Sequence, residues 1–67
     1  MGKEFIIDQS FTKGPKAGEQ FFVVHNASSS VVGSAADEGF AKADADERNA
    51  RASEFGIAAK YSAVARP

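Results

Sequence analysis

The stretch from Ser34 to Phe55, SAADEGFAKADADERNARASEF, decides the fold. It contains no proline and is dominated by alanine, the strongest helix former, so it predicts a helix of about 20 residues. Ser34, followed three residues later by Asp37, resembles a capping box at the start of the helix. Gly56 then supplies the residue that follows the helix end, and Ile57 fits the hydrophobic contact of a Schellman motif.

Extended segments precede this helix. Lys3 to Gln9 is rich in Phe and Ile and predicts a first strand, which ends at Gln9 or continues to Phe11. Glu19 to His25 carries FFVV, with apolar groups on both faces, and is expected to be the central strand. The segments between them, residues 12–18 and 26–30, are rich in Gly, Pro, Asn and Ser and predict turns.

Two shorter segments leave the rest of the sheet open. Val31-Val32 indicates a short third strand that ends at Gly33. Ile57 to Ala65 alternates with a period of two and predicts a last strand. Whether these two strands form is not decided by the sequence. The order is therefore ββ(β)αβ in one domain, residues 1–67, of the α+β class: a small antiparallel sheet of three to four strands packed by one long helix.

The composition disfavours catalysis and argues against several binding functions. The absence of cysteine excludes a disulfide scaffold, a thiol nucleophile and a Cys-based zinc site. His25 is the only histidine, and no serine lies in a nucleophile elbow, so we expect neither an enzyme nor a bound metal or cofactor. No apolar run is long enough to span a bilayer, and residues 1–20 lack a signal-peptide core, so we expect a cytoplasmic protein without membrane contact.

The helix carries two stripes that contain apolar residues. The first stripe is Ala36, Phe40, Ala43, Glu47 and Ala50; the second is Ala41, Ala45, Arg48, Ala52 and Phe55. One stripe packs on the sheet, and the sequence does not say which. In one interpretation the other stripe is simply solvated. In the alternative, the second stripe receives a partner or a second copy of the chain, because its small side chains allow close approach.

A charged strip beside these stripes is the candidate binding site. Asp44 and Arg48 are spaced i,i+4, as are Glu47 and Arg51, and such pairs support each other on a helix. Arginine also pairs bidentately with carboxylates of a partner. The expected partner-binding residues are Asp44, Glu47, Arg48 and Arg51, with Phe40 or Phe55 as an aromatic anchor.

Binding of nucleic acid is the alternative function. Three-stranded sheets with one helix do read DNA grooves, and Lys13 and Lys16 in the first turn, together with Lys60, are the candidate contacts. However, the basic residues are scattered, and eight Lys and Arg face nine Asp and Glu. Phosphate contacts supply most non-specific affinity, so direct binding of nucleic acid is disfavoured.

In outline, the stretch Gly18-Glu-Gln-Phe-Phe-Val-Val-His25 followed by Ser34 to Phe55 resembles small phage-borne inhibitors of host defence, the anti-CRISPR type among them. Some of these are tiny, cysteine-poor α+β proteins with a hairpin, an alanine-rich helix and a last strand. The resemblance implies inhibition by covering a protein surface, often that of a nucleic-acid-binding complex, in the cytoplasm of the host. Basic residues of the target would then meet acidic groups of the helix, namely Asp37, Asp44, Asp46 and Glu47.

Overall fold

A computed structural model describes residues 5–66, in which four strands and one helix follow one another. They are β1 (Ile6–Ile7), β2 (Phe21–His25), β3 (Ser30–Ala35), α1 (Glu38–Glu54) and β4 (Tyr61–Ala65). The α+β class and the order of elements are as the sequence predicts. Lys3 and Glu4, the start of the expected first strand, lie outside the described residues.

The sheet is mixed rather than wholly antiparallel. Its strand order is β1-β3-β2-β4, and β2 runs antiparallel to both of its neighbours. β1 instead pairs parallel with β3, where Ile6 N donates to Ser29 O at 3.1 Å and Asp8 N donates to Val31 O at 2.9 Å. The expectation of a purely antiparallel sheet is therefore wrong at β1, because residues 8–20 carry the chain across to β2 instead of closing a hairpin.

The strands begin and end differently from the sequence prediction. The first strand is limited to Ile6–Ile7, because at Asp8 to Phe11 the chain turns. β2 begins at Phe21 rather than Glu19, whose N–H is held by the carbonyl of Lys16 in the preceding turn.

The strands that the sequence left open both form. β3 runs from Ser30 through Gly33 to Ala35, so Gly33 does not end it. β4 begins at Tyr61, not at Ile57.

The helix is shorter than predicted at its start and ends as predicted. Ser34 belongs to β3, and the N-cap is Asp37, whose carboxylate accepts from Gly39 N at 2.9 Å. At the other end Gly56 has a φ of +70°, its N–H donates to Ser53 O, and Ile57 N donates to Ala52 O at 2.8 Å. These two bonds are the Schellman pattern, and glycine adopts its left-handed conformation without strain.

Both faces of the sheet bear apolar clusters. On one face, Val23 packs with Ala41 and Ala45 of the helix. On the other face, Phe22, Val24 and Val31 are buried beneath partly buried side chains that include Phe5 and Phe11 of the N-terminal segment. The central strand therefore carries core residues on both sides, which explains its run of four apolar residues, FFVV.

The second helix stripe is the buried one. Ala41, Ala45 and Ala52 face the sheet, while Phe40 of the first stripe is exposed. The interpretation in which Ala45 and its neighbours receive a partner is wrong, because the sheet already covers them. Small side chains at these positions let the helix approach the strands closely.

Candidate protein interface

Two of the predicted site residues, Asp44 and Arg48, contact a β-bulge in strand β3. Val23 pairs with Gly33 and Val24 with Val31, so Val32 has no partner in β2 and bulges from the ladder. The guanidinium of Arg48 reaches this bulge, and its Nη2 donates to Val32 O at 3.2 Å. Val32 has no partner in β2, so a hydrogen bond to its carbonyl stabilises the bulge.

Asp44 completes the arrangement. Arg48 Nε donates to Asp44 Oδ1 at 2.9 Å, the i,i+4 pair that the sequence predicts. The carboxylate packs against Gly33, where an added Cβ would stand only 2.9 Å from Asp44 Oδ2. The guanidinium carbon of Arg48 also lies 6.0 Å from the centre of the Tyr61 ring. Asp44 and Arg48 are therefore half-buried and engaged in holding the helix on β3.

The second predicted pair is open to solvent. Arg51 Nη2 donates to Glu47 Oε1 at 2.8 Å, and both side chains are more than 60% exposed, at 63% and 68%. Exposed pairs of this kind contribute little to stability, so either partner exchanges readily for a group on another protein.

An exposed strip, which we call the helix flank, consists of Phe40, Glu47, Arg51 and Phe55. At 100° per residue these positions fall within a sector of about 80° on the helix. Phe40 and Phe55 are 72% and 71% exposed, and about 22 Å of helix axis separates them. Aromatic residues, Phe among them, are enriched in protein interfaces, so two open rings on one side of the helix are candidate anchors.

A pocket lies beside one end of the helix flank. Its volume is about 180 Å³, and Phe55, Ile57 and Tyr61 are among the residues that line it. A cavity of roughly 150 Å³ holds a benzene molecule, so this one has room for a ring or a branched aliphatic side chain. Arg48 and Arg51 also line it, whereas no acidic residue does, so it favours an apolar group that has a carboxylate nearby.

The structure adds residues that sequence reasoning missed. Ile57 is 57% exposed at the pocket, and the alternation that assigned it to a strand gave no sign of this. Asn49 is not among the predicted site residues, but its side chain accepts from Tyr61 N at 2.7 Å and donates to Tyr61 O at 3.0 Å. A weak helix former retained in mid-helix was the available signal.

The single histidine belongs to a hydrogen-bonded turn. His25 Nδ1 lies 2.8 Å from Ser28 Oγ, and that hydroxyl donates to Ser30 Oγ at 2.9 Å. These contacts link the end of β2 to the start of β3 across the turn.

Two acidic groups outside the helix have lowered pKa values. Hydrogen bonds from the backbone N–H of Lys16 and the hydroxyl of Ser34, both 2.8 Å long, hold the pKa of Glu19 below its ordinary value of 4.5. The hydroxyl and N–H of Ser10 likewise lower the pKa of Asp8 from its ordinary value of 3.8. Each carboxylate stabilises a turn before β2: Asp8 the turn at Ser10, and Glu19 the turn at Lys16.

The described residues hold neither a metal cluster nor a membrane span. Across positions 5–66, no three potential ligands of the His, Cys, Asp and Glu types come together. The helix of that same stretch lacks the length and the apolar character needed to cross a bilayer.

The lysines considered for nucleic acid are separated. Lys60 O accepts from Asn26 N at one end of β4, whereas Lys16 O accepts from the guanidinium of Arg66 at the other end. The intervening strand separates their backbones by about 20 Å.

Comparisons of the chain with known protein families, with curated proteins and with solved structures found no match. The assignment of a function therefore rests on the chain's own residues.

Proposed function

We propose that the chain is a non-catalytic protein-binding domain that acts by covering the surface of a partner protein, as an inhibitor or a regulator. The observation that carries the proposal is the helix flank, with phenylalanines that are 72% and 71% exposed at its two ends. The size and the order of elements, which resemble those of phage-borne inhibitors of the anti-CRISPR type, agree with this function.

The energetics favour binding through the aromatic ends. Full burial of one such side chain is worth about 1.5 to 3 kcal/mol, and each ring is about 70% exposed, so burying the open parts of both rings stabilises a complex by about 2 to 4 kcal/mol. Glu47 and Arg51 lie between Phe40 and Phe55 and add direction rather than strength, since exposed charges mainly select the partner and its orientation.

The partner is defined by its chemistry. It presents an apolar recess for Phe40 and, about 22 Å away, an apolar side chain that enters the pocket at Phe55. A carboxylate next to that side chain pairs with Arg51, and a basic residue pairs with Glu47. At 100° per residue Asp44 falls within the same sector as the helix flank. Its carboxylate is bonded to Arg48, however, and the pair holds the helix on the sheet.

The test compares two double variants with the unchanged chain. Phe40→Ala with Phe55→Ala removes both anchors, whereas Asp46→Ala with Ser53→Ala alters the opposite, solvated side of the helix. A protein recovered with the unchanged chain is purified, and its dissociation constant is measured for each form. We expect the first pair of changes to weaken binding at least about tenfold and the control to leave it within about twofold.

Three outcomes contradict the proposal. Equal binding by both double variants shows that the helix flank is not the interface. Recovery of nucleic acid, with an affinity that falls steeply as salt is added, favours the regulator that uses Lys13, Lys16 and Lys60. A turnover that disappears in His25→Ala while the fold survives indicates an enzyme.

A further inference from the structure

β4 lies at an edge of the sheet and exposes part of its backbone. It pairs with β2 on one side, and within residues 5–66 no strand covers the other side. Asn26 N donates to Lys60 O at 2.9 Å, and Arg66 N donates to Gln20 O at 2.7 Å. Residues of an antiparallel strand alternate between the two sides, so Lys60, Ser62, Val64 and Arg66 direct their N–H and C=O groups to β2.

The residues between them direct their backbone groups outward. Asn49 occupies both groups of Tyr61, through bonds of 2.7 and 3.0 Å. Among the described residues, no side chain forms a hydrogen bond with the outward N–H and C=O groups of Ala63 and Ala65. The open part of the edge is therefore Ala63–Ala65, with two donors and two acceptors.

Between Ala63 and Ala65 this edge carries no side chain of a kind that blocks strand pairing. Natural edge strands are blocked by lysine, proline, a bulge or an inward-pointing charge. β4 reads YSAVA, and its register with β2 has no shift. An edge with free donors and acceptors and small side chains fits another extended strand.

We propose that β4 pairs with β4 of a second copy of this chain, antiparallel about a two-fold axis at Val64. Ala63 of each copy then lies opposite Ala65 of the other, and each pair exchanges two backbone hydrogen bonds. Every outward group of the open edge is satisfied, and the two sheets join into one. The interface is isologous, as is usual in homodimers.

The side chains favour this register over its neighbour. With the axis at Val64, Arg66 lies opposite Ser62 of the second copy. The two Val64 side chains, each half-buried on the face away from the helix, meet at the axis. With the axis at Ala63, Lys60 would oppose Arg66, and the pairing would need the groups of Tyr61 that Asn49 occupies. Like charges directly opposite each other destabilise strand pairs.

The register predicts opposite effects of two substitutions at one position. Ser62→Glu places a carboxylate opposite Arg66 of the second copy, whereas Ser62→Lys places a like charge there. Sedimentation equilibrium of the full chain is measured at concentrations rising into the millimolar range, since an interface this small is weak. We expect Ser62→Glu to dimerise at least about threefold more tightly than Ser62→Lys, and added salt to reduce the difference.

A backbone variant tests the same pairing independently. Ala63→Pro removes an outward donor and leaves the β4–β2 ladder intact, because proline is tolerated where its nitrogen faces away from the ladder. We expect it to weaken dimerisation at least about tenfold, since one bond is lost in each symmetric half. Circular dichroism verifies that this variant folds; if it does not, the Ser62 pair decides alone.

Several results would overturn this interface. They are a chain that stays monomeric even as Ser62→Glu, a dimer of equal strength in both Ser62 variants, and Ala63 and Ala65 amides protected from exchange in the monomer. The inference does not depend on the helix flank. Phe40→Ala with Phe55→Ala leaves this dimer unchanged, so failure here and failure of the proposed function are distinguishable.

Discussion

Gly33 in β3 packs against the carboxylate of Asp44 in α1, so closely that an added Cβ would stand 2.9 Å from Asp44 Oδ2. Asp44 Oδ2 is the only atom that would have to move, because the same Cβ would stand at ordinary contact distance from Arg48 Nη2, 3.5 Å, and from the Cβ of Val23, 3.6 Å. The contact joins a strand to the helix at the point where the ladder bulges.

Gly33→Ala is therefore expected to destabilise the chain by about 1 kcal/mol, at the low end of overpacking costs, because the partly exposed Asp44 carboxylate must shift from its bond to Arg48. Chemical denaturation measures the change in the free energy of unfolding. Gly18→Ala is the matched control, since nothing lies within 4 Å of a Cβ at that position. Asp44→Ala in the Gly33→Ala background is expected to cost less than Asp44→Ala alone, and equal costs would contradict the contact.

Asn49 supplies a second test of how the helix is held. Asn49→Ala removes both bonds to Tyr61 and is expected to cost about 1 to 3 kcal/mol of unfolding free energy. Alanine is the better helix former, so its higher helix propensity offsets part of this loss of stability. Asp46→Ala, on the exposed side of the helix, gains a similar propensity without losing a contact with the sheet. Chemical denaturation measures the difference in the free energy of unfolding between the two variants. A difference near zero would contradict a stabilising role for the two Asn49–Tyr61 hydrogen bonds.

Stability is expected to fall in acid, and Glu19 is one cause. Its pKa is lowered in the folded chain by Lys16 N–H and the Ser34 hydroxyl, so its contribution is complete above the ordinary value of 4.5 and is lost as pH falls through the folded value. Asp8 acts in the same direction from its ordinary value of 3.8. Glu19→Gln is expected to flatten the fall of the denaturation midpoint below about pH 4.5.

Glu54→Gln is the control for this pH series, because it removes the same charge at the exposed end of the helix. Its curve is expected to run parallel to that of the unchanged chain. If Glu19→Gln gives the same parallel curve, the hydrogen bonds to Glu19 do not contribute to acid sensitivity.

Replacing a buried phenylalanine is expected to cost far more stability than replacing an exposed one. Phe22 is 6% exposed, and Phe22→Ala is expected to cost about 3 to 5 kcal/mol, as in other cores. Phe40→Ala and Phe55→Ala remove rings that are mostly in solvent, so each is expected to change the free energy of unfolding by less than about 0.5 kcal/mol. A large loss at either position would mean that the ring supports the fold and is not free for a partner.

The strongest features of the fold are predictable from local sequence. Alanine content and the lack of proline predict the helix, Gly56 predicts its end, and FFVV predicts the central strand. Each of these signals lies within a few neighbouring residues, where intrinsic preference and periodicity act.

The parts that escape prediction depend on contacts between distant residues. Gly33 and Ser34 resemble a strand end and a helix cap, but β3 continues through them because they pair with Val23 and Phe22 of β2. The direction of β1 is equally hidden, because Ile6–Ile7 is too short to select a neighbour by its own pattern.

The candidate site likewise has features that local sequence predicts and features that depend on contacts between distant residues. The i,i+4 pairs of Arg48 and Arg51 with their acids are predictable, and both form. That Arg48 turns inward is not predictable, since its acceptor exists only because β2 and β3 shift register at Val32. Sequence therefore identifies the charged residues of the helix, and the sheet decides which of them remain available.

The parallel pairing of β1 with β3 has a consequence for how the chain folds during synthesis. The strand against which Ile6 and Ile7 lie is synthesised more than twenty residues after them. Such separated contacts close slowly, because loop entropy is lost before any contact repays it. This apolar segment therefore stays unpaired in the nascent chain until β3 has been made, and during that time it is open to a chaperone.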